Sequence, residues 1–178
     1  MSTATFGSGC FWCTETIFLS LKGVTSVMPG YSGGHTENPT DTQVYTGTTS
    51  HVEVARIAFD PTVISYEQLV EVFFGSHNPT TLNRQGNDVG EQYRSVIFFH
   101  DSEQRQIAEK VMAKLTADKT FDAPIVTTIE PLTNFYPAED YHRNYYANNP
   151  DQPYCQAVIS PKLAKFRKQY HLLKTHQA

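Results

Sequence analysis

The succession of extended and helical patterns restricts what this chain can fold into more than any single residue does. TATFGSG is a short strand-like run that ends in glycines. FWCTETIFLSLKG follows it, with Phe11, Ile17, Phe18 and Leu21 at helical spacing and Gly23 suited to a C-terminal cap. VTSVMPGYSGG is extended until its glycines break it, and HVEVARIAFD alternates as a strand does. SYEQLVEVFFGSH starts at a capping serine, Ser65, with Glu67 and Gln68 in its first turn. EQYRSVIFFH predicts a buried strand. DSEQRQIAEKVMAKLTAD predicts an amphipathic helix with Ile107, Val111, Met112 and Leu115 on one side, and APIVTTIEP predicts a last strand. The order β-α-β-β-α-β, then α-β, predicts an α+β fold. The expected form is a ferredoxin-like split β-α-β two-layer sandwich, with helices on one face of a mostly antiparallel sheet. Loops at residues 29–50, 75–92 and 132–155 are longer than connections need to be, which points to function in them.

The chain of 178 residues predicts one domain, 1–178, with the tail 156–178 peripheral as a basic surface helix or frayed end. A net charge of -4 gives no footprint for nucleic acid, and no apolar run is long enough to span a bilayer. The first residues show neither the basic nor the apolar region of a signal peptide. Three cysteines are an odd count, which argues against a structural disulfide framework and for a reducing compartment; a cytoplasmic location is expected.

In such a setting a C-x-x-C is more often catalytic or metal-binding than structural, and GSGCFWCTE carries one at Cys10 and Cys13. Cys10 stands where a strand turns into a helix. Unpaired N–H groups and the helix dipole favour thiolate there. Phe11 and Trp12 read first as core from the stretch alone, with walls of a pocket over the thiol as the other reading. His51 and Glu53 form an H-x-E. The zinc deaminases place their P-C-x-x-C after it, whereas here the C-x-x-C comes first and lacks the proline. A zinc site of Cys10, Cys13 and His51 stays open on residue types alone. Asp88 and Tyr93 lie in a glycine-punctuated loop, RQGNDVGEQYRS, that is also an ordinary turn composition. Glu139 and His142 share a short helical stretch, AEDYHRNYY, and Cys155 follows a proline-bearing segment expected to be mobile.

Together these pieces resemble the A-type peptide methionine sulfoxide reductases. The matching stretches are GCFWCTE at 9–15, GYSGG at 30–34, NPT at 38–40, TGTTSHVEV at 46–54, HNPTTLNRQGNDVGEQYRS at 77–95 and FYPAEDYHRNYY at 135–146. They occur in order over residues 5 to 155.

The resemblance implies reduction of methionine S-sulfoxide, free or in oxidised proteins, with no bound cofactor or metal. It implies Cys10 as nucleophile, Phe11 and Trp12 around the substrate methyl, Glu53 as the acid for the sulfoxide oxygen, and Asp88 and Tyr93 as binding and polarising groups. A carboxyl with a raised pKa suits that oxygen, a poor leaving group until protonated. A second thiol then condenses on the Cys10 sulfenic acid, and thioredoxin reduces the disulfide. Cys155 is expected to attack first, with Cys13 the alternative. A monomer is expected. Three positions depart from the family pattern. Asp41 replaces a tyrosine that usually contacts the oxygen, a role Tyr45 could take over. SHVE replaces GHAE, and Cys13 replaces a glycine. The other reading of the same residues is a general thiol-disulfide oxidoreductase using Cys10 and Cys13.

Overall fold

A computed structural model describes residues 1–169. Strand β1 (Ser2–Ser8) leads into helix α1 (Phe11–Leu19), which returns to β2 (Val24–Ser32). A short helix α2 (Asp41–Tyr45) precedes β3 (Val52–Phe59), and α3 (Tyr66–Gly75) follows. Two short strands, β4 (Arg84–Gln85) and β5 (Asp88–Val89), pair in the next loop ahead of a 3₁₀ turn at Glu91–Tyr93. Then come β6 (Ser95–Phe99), α4 (Ser102–Ala117), β7 (Thr128–Pro131) and β8 (Tyr136–Pro137). A 3₁₀ turn at Asp140–His142, helix α5 (Tyr145–Asn148), a π-helical segment at Cys155–Ile159 and α6 (Ser160–Gln169) complete the described chain.

The fold is α+β around a mixed six-stranded sheet in the order β7-β6-β1-β3-β2-β8. Neighbours run antiparallel except β6 and β7, which are parallel. Strand β1 lies between β3 and β6, so alternate side chains point to opposite faces of the sheet. Ala4 and Phe6 join Ala55, Ile57, Phe59 and Ile97 under helices α1, α3, α4 and α6. Phe6 meets Phe18 and Phe73 at ring-centroid distances of 5.5 and 5.1 Å. Truncating such a fully buried ring costs about 3–5 kcal/mol. The opposite face buries Val52, Val54, Val96 and Phe98 beneath Leu132 and Phe135. The Arg56 guanidinium lies 4.3 Å from the Phe135 ring centre.

Several local expectations change in the folded chain. Ser65 does cap α3: its side chain accepts from the Gln68 N–H while Gln68 accepts from the Ser65 N–H. Helix α1 instead ends at Leu19 with Ser20 as its cap. Gly23, at φ +98°, makes the later turn into β2, where a Cβ would meet Ile64 at 2.8 Å. The last strand covers only Thr128–Pro131, because only that part pairs with β6. The loops hold short elements of their own. Thr40 heads α2 with a full capping box. Cys155, expected on a mobile segment, sits fully buried in a helical one. The tail does more than cover the surface, since Leu163 and Phe166 enter the main core. The remainder of the expected basic tail, residues 170–178, lies outside the described residues.

Candidate active site

The site forms at one end of the sheet, where β1 finishes, β3 begins, β2 finishes and β6 begins. Gly7 lets the strands close here, since a Cβ would meet Val52 and Val96 at 2.8 and 2.9 Å. Gly9 takes φ +96°, and Cys10 then occupies the N-cap of α1. The Cys10 carbonyl accepts from the Cys13 N–H at 3.1 Å, the first bond of the helix. Glu53, paired with Tyr31 across β3 and β2, reaches the same helix start. Its Oε1 accepts from the Phe11 N–H at 3.2 Å.

A cavity of about 400 Å³ opens over Cys10. Phe11, Trp12, Asp41, Tyr45, Glu53, Asp88, Tyr93, His142 and Tyr154 share its wall. The structure therefore brings Cys10, Glu53, Asp88, Tyr93, Phe11, Trp12 and Tyr45 together, although they come from four distant stretches. Phe11 is buried against Tyr31, with ring centres 5.6 Å apart. Trp12 stacks flat on Tyr145 at 3.7 Å. Tyr45 stands at the mouth and is 74% exposed.

Burial governs the acid side. Glu53 lines the cavity and is partly buried, and desolvation raises its carboxyl to about 8; the Phe11 N–H opposes this, while Asp88 adds to it. The carboxyl is therefore neutral at neutral pH. Burial, then nearby Glu53, also pushes the Tyr93 hydroxyl well above its ordinary range, so it remains a donor.

The thiols behave differently from the sequence expectation. Cys10 was expected to favour thiolate at the helix start. Desolvation outweighs the dipole, and its pKa is raised, with the Cys13 hydrogen bond and the Glu53 charge adding to the rise. The Cys13 thiol falls to about 7, first through its interaction with the Cys10 thiol and then through the charge of Lys162, against the desolvation that raises it. The two thiols titrate together, with Cys10 raised and Cys13 lowered. Cys155 does not line the Cys10 cavity. It packs with Cys13 and Ile159, beside Tyr145, Tyr146 and Tyr154.

A second set of residues orders the cavity, and nothing in the sequence shows how they connect. The Trp12 indole N–H donates to His142 Nδ1 at 3.0 Å. His142 Nε2–H in turn reaches Asp41 Oδ2 at 3.3 Å. Glu139 accepts from the Asp41 N–H at 3.1 Å and from the Tyr31 hydroxyl at 3.3 Å. Tyr154 donates to Asp88 at 2.6 Å. Glu15, within the GCFWCTE run, is buried and accepts from the Asn144 N–H at 3.0 Å, tying the aromatic loop to α1. The polar residues of FYPAEDYHRNYY were the available signal. Only the fold shows that they converge on Trp12.

The zinc alternative loses its third ligand. His51 is buried, and both ring nitrogens serve its own loop: Nδ1 accepts from the Gly34 N–H at 3.0 Å, and Nε2 donates to the Thr36 carbonyl at 2.7 Å. Among the described residues, Asp41, Glu139 and His142 gather donor atoms within 4.8 Å of one another. Nδ1 of His142 accepts from Trp12, so Nε2 carries the proton toward Asp41, and a cation there would have to displace it.

The family model for peptide methionine sulfoxide reductase matches residues 2–174. The chain belongs to the peptide methionine sulfoxide reductases. It is 57% identical over 98% of its length to the peptide methionine sulfoxide reductase MsrA of Chromobacterium violaceum, covering 99% of that protein. It is 54% identical to the MsrA of Saccharolobus solfataricus, over 94% of each chain. Among solved structures it resembles reduced Mxr1 from Saccharomyces cerevisiae, with a TM-score of 0.80, 33% identity and coverage of 86% of this chain and 88% of that one. Mxr1 in complex with Trx2 also resembles it, with a TM-score of 0.52, 26% identity and coverage of 81% and 84%. Family membership makes the chain an oxidoreductase that acts on methionine sulfoxide, and the general thiol-disulfide exchange reading is not favoured.

Proposed function

We propose that this reductase runs its chemistry on the methionine S-sulfoxide through Cys10 and Glu53, in the cavity they share. One observation carries this reading: a neutral, partly buried carboxyl and a buried thiol line the same cavity beside an aromatic wall. Phe11 and Trp12 take the substrate methyl. Glu53 and the Tyr93 hydroxyl donate toward the sulfoxide oxygen, and Asp88 helps to set Tyr154 at the rim. Tyr45 at the mouth contacts the rest of the substrate.

Cys10 sulfur attacks the sulfoxide sulfur as Glu53 protonates the oxygen. The oxygen passes to Cys10 as a sulfenic acid, methionine leaves, and the proton lost from the Cys10 thiol restores the carboxyl. Cys13 lies one helical turn from Cys10 and shares a second cavity with it, so it is the better placed to attack the sulfenic sulfur. A disulfide forms and water leaves. Cys155, packed on Cys13, can then take over the bond by exchange. This order reverses the one expected from the sequence, because Cys155 packs on Cys13 and does not line the Cys10 cavity.

Thioredoxin is the proposed reductant. The Mxr1–Trx2 complex supports it by likeness. The strand order β6-β1-β3-β2 with its two crossover helices supports reading the core as a ferredoxin-like split β-α-β unit. One main core drawing on residues from Ala4 to Phe166 supports a single domain. No helix among the described residues is long and apolar enough to cross a membrane. A monomer in the cytoplasm is proposed, and one species of monomer mass in light scattering checks the first part.

The deciding experiment counts thiols. Reduced protein given methionine sulfoxide without reductant should lose two thiols for each methionine formed. Methionine formation with no thiol loss would refute the mechanism.

A further inference from the structure

Cys10 borders two cavities. The substrate cavity is one. The other, about 310 Å³, is lined by Cys10, Cys13, Gln85, Asn87, Ala157 and Lys162, together with Asp88 and Tyr154. Cys10, Asp88 and Tyr154 border both, so the 2.6 Å hydrogen bond from Tyr154 to Asp88 is part of the wall between them. Cys13 lines the second cavity and not the first. Gln85 and Lys162 also border a further hollow of about 480 Å³ that holds Lys165.

The two sides differ in charge. Glu53 and Asp41 line only the substrate cavity, which has no lysine or arginine, while Asp88 borders both. The second cavity sets Lys162 beside Cys13, and the Lys162 charge favours thiolate there. Neither Lys162 nor Lys165 enters an ion pair among the described residues. An incoming thiolate is repelled by carboxylates and drawn by a free ammonium. Thiol–disulfide exchange also needs access to the sulfur attacked.

We propose that this second cavity is where the reductant's thiolate reaches the enzyme, and that Cys13 is the sulfur it attacks. Sulfoxide and reductant thus approach the thiol pair from opposite sides. The proposal rests on the Cys10–Cys13 disulfide described above. The reductant thiolate bonds to Cys13 Sγ, the Cys10–Cys13 bond breaks, and Cys10 leaves with the electron pair and is protonated. The reductant's second thiol loses its proton and attacks the reductant sulfur of the mixed disulfide. Cys13 is released as thiolate, and the reductant departs oxidised by two electrons.

The test separates the two half-reactions in the full chain, using Ala157→Trp to fill the exposed mouth and Lys162→Glu to reverse the charge. The first measurement is methionine formed in one turnover without reductant. The second is re-reduction of the oxidised enzyme by dithiothreitol and by the anionic thiol 2-mercaptoethanesulfonate. Both variants should form methionine at the wild-type rate. Ala157→Trp should slow re-reduction by both thiols. Lys162→Glu should slow the anionic thiol about tenfold, and dithiothreitol less, with the difference shrinking in high salt. Re-reduction at wild-type rates in both variants overturns the proposal, as does an equal fall in both half-reactions. A wild-type enzyme that forms methionine without losing thiols overturns the redox-pair reading beneath it.

Discussion

Desolvation pushes the pKa up on both flanks of Cys10, yet the two groups end on opposite sides of their ordinary values. On the acid flank, Glu53 has one backbone N–H donor and no cation in its cavity, so desolvation dominates and the carboxyl rises to about 8. On the thiol flank, Cys13 has a donor in Cys10 and a positive field from Lys162, and its thiol falls to about 7. Burial alone does not set a pKa. The partner that the fold supplies decides which protonation state it favours. One helix start thus carries a neutral acid on one side and an ionisable thiol on the other.

Removing the atom common to both flanks has the largest expected effect. Cys10→Ser should lower sulfoxide reduction by about 10³-fold or more. Methionine release by chromatography checks it, and substantial residual turnover would reject Cys10 as nucleophile.

Glu53→Gln tests the acid flank alone, with an expected loss of about 10²-fold in the sulfoxide step. The raised pKa also gives a sign. The acid form is full well below pH 8 and drains away as pH rises through about 8, so the wild-type rate should fall on that limb. Glu53→Gln should lack the limb. A small disulfide substrate, which has no oxygen to protonate, should be little affected. Equal losses on both substrates would make Glu53 structural.

The thiol flank is sharpened by titration. Cys13 alkylation by iodoacetamide, followed by peptide mass, should show a midpoint about 7, and Cys10→Ala should move it upward by removing the donor. An unmoved midpoint would mean that Lys162 and the Tyr154 hydroxyl set it without Cys10.

Smaller effects belong to the residues that hold the walls. Asp41→Ala removes the acceptor of His142 and loosens the Trp12 indole behind it. About 1 kcal/mol, or roughly fivefold in KM with little change in kcat, is the expected scale. A fall in kcat alone would instead place Asp41 on the reacting oxygen. The smallest expected effect is at Ser50, which takes φ +62° where the family pattern has glycine. Ser50→Gly should relieve up to about 1 kcal/mol, read as a rise in Tm with unchanged kinetics.

The core was legible because it rests on local periodicity. The alternation of β3, the capping box at Ser65 and the apolar side of α4 are each set by neighbours within a few residues. The candidate site was legible as residues, since Cys10, Glu53, Asp88 and Tyr93 occur in recognisable stretches, and all four line one cavity. Their ionisation was not legible. The helix start argued for a Cys10 thiolate, but the desolvation that overrides it comes from strands and loops far along the chain.

The same reason governs the remaining differences. Cys155 reads as mobile from Asn148, Asn149, Pro150 and Pro153, yet Ile159, Leu163 and Phe166 draw the following segment into the core and seat Cys155 against Cys13. Asp41 reads as a lost tyrosine until His142, 101 residues away, is found bonded to it. Residue types and periodicity establish which groups the chain carries and which elements hold them. Proximity across the sheet end decides which proton each group keeps and which thiol meets which, because dielectric and hydrogen-bond partners are properties of the assembled surroundings.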